Sequence, residues 1–133
     1  MSIQILLTND DGVRSEGIRV LAEALRGFGV VTTVAPTFEV SAVSHGLTLS
    51  RPLRLDRMAP DVFSVDGTPT DCINIAMAQI LSDQPGLVVS GINKGWNVGD
   101  DVTYSGTVAG ALEGVLLGVP SLAVSLERTD GMF

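Results

Sequence analysis

The chain opens with an apolar run, Ile3-Gln4-Ile5-Leu6-Leu7, that ends at Thr8-Asn9-Asp10-Asp11-Gly12. A short apolar run closed by turn residues predicts a buried strand. From Ser15-Glu16-Gly17 the period changes: Ile18, Leu21, Ala22 and Leu25 recur at helical spacing until Gly27 and Gly29 stop them. Val30 to Ala35 is rich in β-branched residues and predicts a second strand, closed by Pro36. Strand, helix and strand with short joints make a βαβ unit, whose crossover is almost always right-handed.

Residues 37–68 are less regular. Thr48 to Leu55 and Val62 to Val65 read as short strands, a small β excursion near residues 47–66. Helical spacing returns over Pro69 to Ser82 through Cys72, Ile75, Ala76, Gln79 and Ile80, with Thr70 as N-cap and Asp71 in the first turn. Leu87 to Ser90 predicts a third buried strand running into a turn-rich loop, Gly91 to Asp101. Ser105 to Gly118 predicts a helix and Ser121 to Leu126 a fourth strand. The fold class is therefore α/β with a mostly parallel sheet. No linker, repeat or low-complexity segment interrupts it, so residues 1–133 read as one domain.

The last predicted helix carries glycine at 106, 110, 114 and 118. Gly118 before Val119-Pro120 is a helix stop. Gly110 and Gly114 lie inside, each costing roughly 1 kcal/mol against alanine. Their spacing puts them on one stripe, which suits close approach to the sheet or to another helix.

Composition narrows the function classes. Hydrophobic residues make up 45% of 133 residues, enough for a core, and aromatics only 5%, so the core must be aliphatic. No apolar run approaches the ~20 residues of a membrane span, and the N-terminus lacks a signal-peptide pattern. The formal charge of −7 argues against a nucleic-acid polymer as partner. It is unevenly placed. Residues 1–60 balance six acids with six bases, whereas residues 61–133 hold nine acids against Lys94 and Arg128. Such a face aids solubility, or some of its acids attract a cation with Asp10 and Asp11. The single cysteine, Cys72, lies on an apolar helix face and suits a reducing compartment.

In parallel α/β sheets, ligands bind beyond the carboxyl ends of the strands. Three segments there carry unusual polar content. Asp10 and Asp11 repel one another unless a divalent cation sits between them, and oxygen ligands favour Mg²⁺, Mn²⁺ or Ca²⁺. The alternative is a turn whose acids cap the following helix. Gly91 to Asn97 offers two asparagines, Asn93 and Asn97, as neutral oxygens or as donors, or is simply a polar turn. Tyr104-Ser105-Gly106-Thr107 opens a helix, where N–H groups and hydroxyls suit a phosphate, or supply a plain N-cap. Neither a Walker motif nor a dinucleotide fingerprint is present. Together the three suit metal-assisted phosphoryl hydrolysis.

The same stretches carry a family resemblance. Ile5 to Gly12, Val34-Ala35-Pro36, Ser41 with His45-Gly46-Leu47-Thr48, Gly67 to Cys72, Val89 to Asp101 and Ser105 to Ala111 follow one another in a familiar order. The chain resembles the SurE (survival protein E) family of metal-dependent nucleotidases over nearly its whole length. The resemblance implies a Rossmann-like domain that hydrolyses nucleoside 5′- and 3′-monophosphates, with some activity on short polyphosphate. It implies that Asp10, Asp11, Ser41 and Asn93 bind a divalent ion, Mg²⁺ or Mn²⁺. It puts Asn9 and Asn97 in the substrate pocket and has Ser105, Gly106 and Thr107 cradle the phosphate. Asp10, with Asn93, would carry the chemistry by orienting or deprotonating the attacking water. The family is usually cytoplasmic and forms dimers or tetramers, and its members are longer, with a C-terminal part that completes the fold.

This sequence departs from the family pattern in places. Thr37-Phe38-Glu39-Val40 stands where the family has an acid after the proline and an arginine near the serine, and Trp96 stands where proline is frequent. Trp96 would stack on a base or anchor its loop. His45 would transfer a proton or hold a structural hydrogen bond. The departures and the short length leave a second expectation open: a catalytically weak nucleotide- or metal-binding fragment that needs a C-terminal region or a partner chain. A third is a purely structural or oligomerising piece.

Overall fold

The computed structural model describes residues 2–39, 46–94 and 105–126. Strand β1 (Ile3–Thr8) leads through a tight loop into helix α1 (Glu16–Leu25) and back to β2 (Gly29–Pro36). A hairpin of β3 (Leu55–Ala59) and β4 (Val62–Val65) follows. Helix α2 (Pro69–Ile75) runs on into a π-helical turn, Ala76–Ile80. Then come β5 (Leu87–Lys94), α3 (Gly106–Leu116) and β6 (Ser121–Leu126). The six strands lie in the order β3-β4-β2-β1-β5-β6, all parallel except β3 against β4. This is the α/β, mostly parallel architecture that the hydrophobic pattern predicts.

The alternation of β1 splits the core into two layers. Leu6 points to one face with Val34, Val65, Val88, Cys72 and Ile73, beneath α2 and α3. Ile5 and Leu7 point to the other with Val31, Val89, Ile18 and Ala22, beneath α1. Leu6 and Leu7 are fully buried, and burial of each contributes about 1.5–3 kcal/mol. Cys72 is equally buried, and burial pushes its thiol pKa far up, so it is an inert core residue as its helix face predicts.

Helix α3 sits against the sheet through its glycines. A Cβ on Gly114 would overlap Ser121 Oγ and come within 3.0 Å of Val88 Cβ. One on Gly110 would lie 3.0 Å from Thr8 Cγ2 and 3.3 Å from Pro69 Cβ of α2. The stripe is a docking seam against both sheet and helix.

Three local expectations need correction. The first strand of the excursion is Leu55–Ala59, not Thr48 to Leu55. Thr48 instead donates its N–H and its hydroxyl to the Asp71 carboxylate, at 2.7 and 2.6 Å, outside any ladder. The second helix is capped by Thr68, not Thr70, in a reciprocal box: Asp71 N–H donates to Thr68 Oγ1 and Thr68 N–H to Asp71 Oδ2. Its α-helical part also ends at Ile75 rather than reaching Ser82. Finally, β5 does not stop at Ser90. It crosses Gly91, which takes a φ of +149° with Val124 O where a side chain would be, and resumes pairing with β6 at Asn93. Asn93 and Lys94 are strand-end residues, not loop residues.

Asp71 thus receives three donors while only 2% exposed. It ties the 46–48 segment to the start of α2. Asp71→Ala should therefore destabilise the chain by about 3 kcal/mol. Urea denaturation would read this as a lower midpoint at unchanged slope.

Candidate functional site

The chain leaves β1 toward β2 on one side and reaches β5 on the other, so the strand order reverses between β1 and β5. That reversal opens a crevice at the carboxyl ends of the two strands. The loop after β1, the end of β5 and the start of α3 all converge there.

The loop is shaped by Asn9. It is 1% exposed and its amide is spent internally. Nδ2 donates to Gly12 O at 2.8 Å and to Ser15 Oγ at 2.9 Å, and Oδ1 accepts from Gly12 N–H at 3.2 Å. Ser15 in turn caps α1 by accepting from Ile18 N–H. Asn9 therefore fixes the loop to the helix.

Held this way, Asp10 and Asp11 project from the end of β1. Asp10 Oδ1 is buried with no hydrogen-bond partner among the described residues. Burial, then the charges of Asp11 and Glu39, push the Asp10 carboxyl up to about 6. Asp11 is also raised by burial; Lys94 opposes the rise and Glu39 adds to it.

The start of α3 closes the other side. Ser105 is its N-cap, with Oγ accepting from Val108 N–H at 3.2 Å. Thr107 is fully buried and its hydroxyl donates to Asn93 Oδ1 at 3.2 Å, joining α3 to the end of β5. A Cβ on Gly106 would overlap the Asp10 carboxylate. Glycine is thus what lets the carboxylate lie against the positive end of the helix.

Asp10, Asn93, Gly106 and Thr107 are linked by these direct contacts, and Ser105 adjoins them at the same helix start. Asp11 stands beside them over a cavity of about 550 Å³ shared with Lys94 and Glu39. Ser41 and Asn97, as well as His45 and Trp96, lie outside the described residues. The charged neighbours Glu39 and Lys94 were not among the expected site residues. Their signal was position: Lys94 follows Asn93 at a strand end, and Glu39 lies just past the end of β2.

The donor set fits a hard divalent cation. A buried carboxylate oxygen without a partner, beside a second carboxylate, is costly unless a cation joins it. Among the described residues no three His, Cys, Asp or Glu side chains cluster as metal ligands, so the donors here are two carboxylates and neutral oxygens. That is an oxygen-only set, unsuited to zinc.

Comparison with known proteins identifies the family. The family model described as survival protein SurE matches residues 5–132. The chain is 60% identical over 124 residues to the 5′-nucleotidase SurE of Geobacter metallireducens, covering 93% of this chain and 49% of that protein. It is 57% identical over 129 residues to the 5′-nucleotidase SurE of Geobacter sulfurreducens, covering 97% and 49% respectively. The crystal structure of the SurE protein from Aquifex aeolicus superposes with a TM-score of 0.94 at 47% identity, over 98% of this chain and 53% of that one. The chain spans about half the length of the curated relatives it matches. Strand order, crevice and sequence agree, and the chain belongs to the survival protein SurE family.

Proposed function

We propose that this chain is the metal- and phosphate-binding half of a nucleotidase that hydrolyses nucleoside 5′-monophosphates, with nucleoside 3′-monophosphates and short polyphosphate as further substrates. The observation that carries the reading is the buried, unpartnered Asp10 Oδ1 pressed against the start of α3. The relatives' description as 5′-nucleotidases supports the substrate class.

Asp10 and Asp11, completed by Asn93 and Ser41, would hold the cation, Mg²⁺ or Mn²⁺. When bound, such an ion neutralises phosphate charge and favours ionisation of water. The chain's own residues do the rest. The first-turn N–H groups of α3, those of Gly106 and Thr107 among them, and the hydroxyl of Ser105 receive phosphate oxygens, helped by the helix dipole. Asn9, and Asn97 outside the described residues, would contribute to the substrate pocket. Asp10 orients the attacking water or takes its proton. The new P–O bond forms as the ester P–O bond breaks, and the nucleoside oxygen leaves with a proton. Thr107 keeps Asn93 in place through its hydroxyl.

The length of the relatives favours a second reading, in which residues 1–133 form one domain that binds metal and nucleotide but turns over slowly without the C-terminal region. Exposed Leu112, Val115, Leu116 and Leu122 support association with further chain or with copies of itself, as a homodimer or homotetramer. No helix among the described residues is long and apolar enough to cross a membrane. A cytoplasmic location is part of the proposal and would follow the lone reduced thiol.

Phosphate release from nucleoside monophosphates with Mn²⁺ or Mg²⁺ tests the activity directly. EDTA should abolish it, and Asp10→Asn should lower kcat by about a thousandfold or more with circular dichroism unchanged. Persistent turnover in that variant would overturn the role of Asp10.

Gly106→Ala separates site geometry from folding. Alanine is the better helix former by about 1 kcal/mol, so thermal stability should hold or rise slightly. The new Cβ displaces the Asp10 carboxylate, and kcat/KM should fall about a hundredfold.

Protonation gives an independent check on the metal-free chain. The folded-state pKa of Asp10 lies above its ordinary value of 3.8, at about 6, so the native state holds that proton more tightly than the unfolded state. This contribution stabilises the fold at low pH and is lost as pH rises from about 4 through about 6. Melting curves in EDTA should show Asp10→Asn removing that slope and raising Tm near neutrality. Divalent-ion affinity of the unaltered chain should weaken below about pH 6, as protons compete for the same oxygen.

A further inference from the structure

One large apolar side chain near the site has no role in the mechanism above. Phe38 is 76% exposed, two residues past the end of β2. Its surroundings set it apart from an ordinary surface phenylalanine. Thr37, Phe38 and Glu39 line two cavities at once. One, of about 550 Å³, reaches Asp11 and Lys94. The other, of about 460 Å³, is walled by Thr48, Arg51, Asp66, Gly67 and Thr68. Both fall within the size range of small-molecule pockets. The ring therefore stands between a cavity that reaches the Asp11 carboxylate and one whose wall combines threonines with the Arg51–Asp66 ion pair.

Its backbone is held firmly. A Cβ on Gly12 would lie 3.4 Å from Phe38 C and Glu39 N, so the Asp10-Asp11-Gly12 loop packs directly on this segment. Thr37 N–H donates to Val65 O at 2.8 Å, and Thr37 O accepts from Arg14 Nη1 at 3.4 Å. The backbone beneath the ring is thus held beside Gly12, on the cavity that Asp11 also lines, while the side chain stays open to solvent. An aromatic face fixed on a rigid support binds a flat heterocycle by stacking, at little entropic cost and without choosing among bases.

We propose that Phe38 is the platform on which the base of a nucleoside monophosphate stacks while its phosphate lies at Asp10, Asp11 and the start of α3. This rests on the nucleotidase reading and adds to it the group that recognises the nucleoside. It makes Phe38 a specificity-determining residue that separates nucleotides from phosphomonoesters without a base.

The test compares adenosine 5′-monophosphate with ribose 5-phosphate as substrates, using the unaltered chain, Phe38→Ala and Phe38→Trp with Mn²⁺. In Phe38→Ala the kcat/KM preference for the nucleotide should fall about tenfold, the change lying in KM, and Phe38→Trp should restore it. An unchanged preference, an equal loss on both substrates, or a failure of tryptophan to rescue would overturn the proposal. If the unaltered chain hydrolyses neither substrate, the activity reading fails by itself, and calorimetric binding of adenosine 5′-monophosphate decides the role of Phe38. About tenfold weaker binding in Phe38→Ala supports the platform. Equal affinity, or no binding by the unaltered chain, overturns it.

Discussion

A carboxylate that is half buried, next to a second carboxylate and short of a hydrogen-bond partner is an unfavourable thing to build. Asp10 is all three among the described residues, and burial beside Asp11 raises its carboxyl pKa. The surrounding fold holds it there. Asn9 closes the loop beneath it, Ser15 ties that loop to α1, and Gly106 removes the atom that would displace it. Such a site gives up stability for geometry.

Much of the fold was legible because the chain obeys simple periodicities. Ile5 to Leu7 and Thr33 to Ala35 are buried on both faces of a parallel sheet, so the two strands read as continuous, largely apolar runs. Ile18, Leu21, Ala22 and Leu25 mark one helix face. Two of the misreadings share a cause: a tertiary partner outweighed the local pattern. Thr48 looks like a strand residue, but its donors go to Asp71, twenty-three residues away. The glycine after Ser90 looks like a stop, yet a positive φ carries the strand through it to Asn93. The cap at Thr68 was visible in Thr68-Pro69-Thr70-Asp71, a threonine with an acid three residues on and proline at the first helical position.

The site was legible in a different way. Asp10, Asp11 and the Ser105-Gly106-Thr107 start could be placed because ligand groups in parallel sheets gather at strand ends and helix starts. What the sequence alone could not supply was contact. Nothing local says that Thr107 donates to Asn93, fourteen residues earlier, or that Gly106 touches Asp10. Asn9 shows the converse limit. Its amide is as suited to a substrate as to a loop, and the sequence does not show that Gly12 and Ser15 engage it.

The glycines of α3 join these threads. Gly110 and Gly114 forfeit helix propensity so that the helix can lie on Thr8, Ser90 and Val88 without intervening side chains. The same close seating sets how far the N-terminus of α3 stands from the end of β1. Thr8 lies under Gly110, two residues before Asp10, and Gly106 lies one helical turn before Gly110. A helix lifted by a single methyl at the seam would carry Gly106 away from Asp10 and Thr107 away from Asn93. Core packing and site geometry are therefore one constraint here, and the helix gives up intrinsic stability along its length to keep its first turn against a carboxylate.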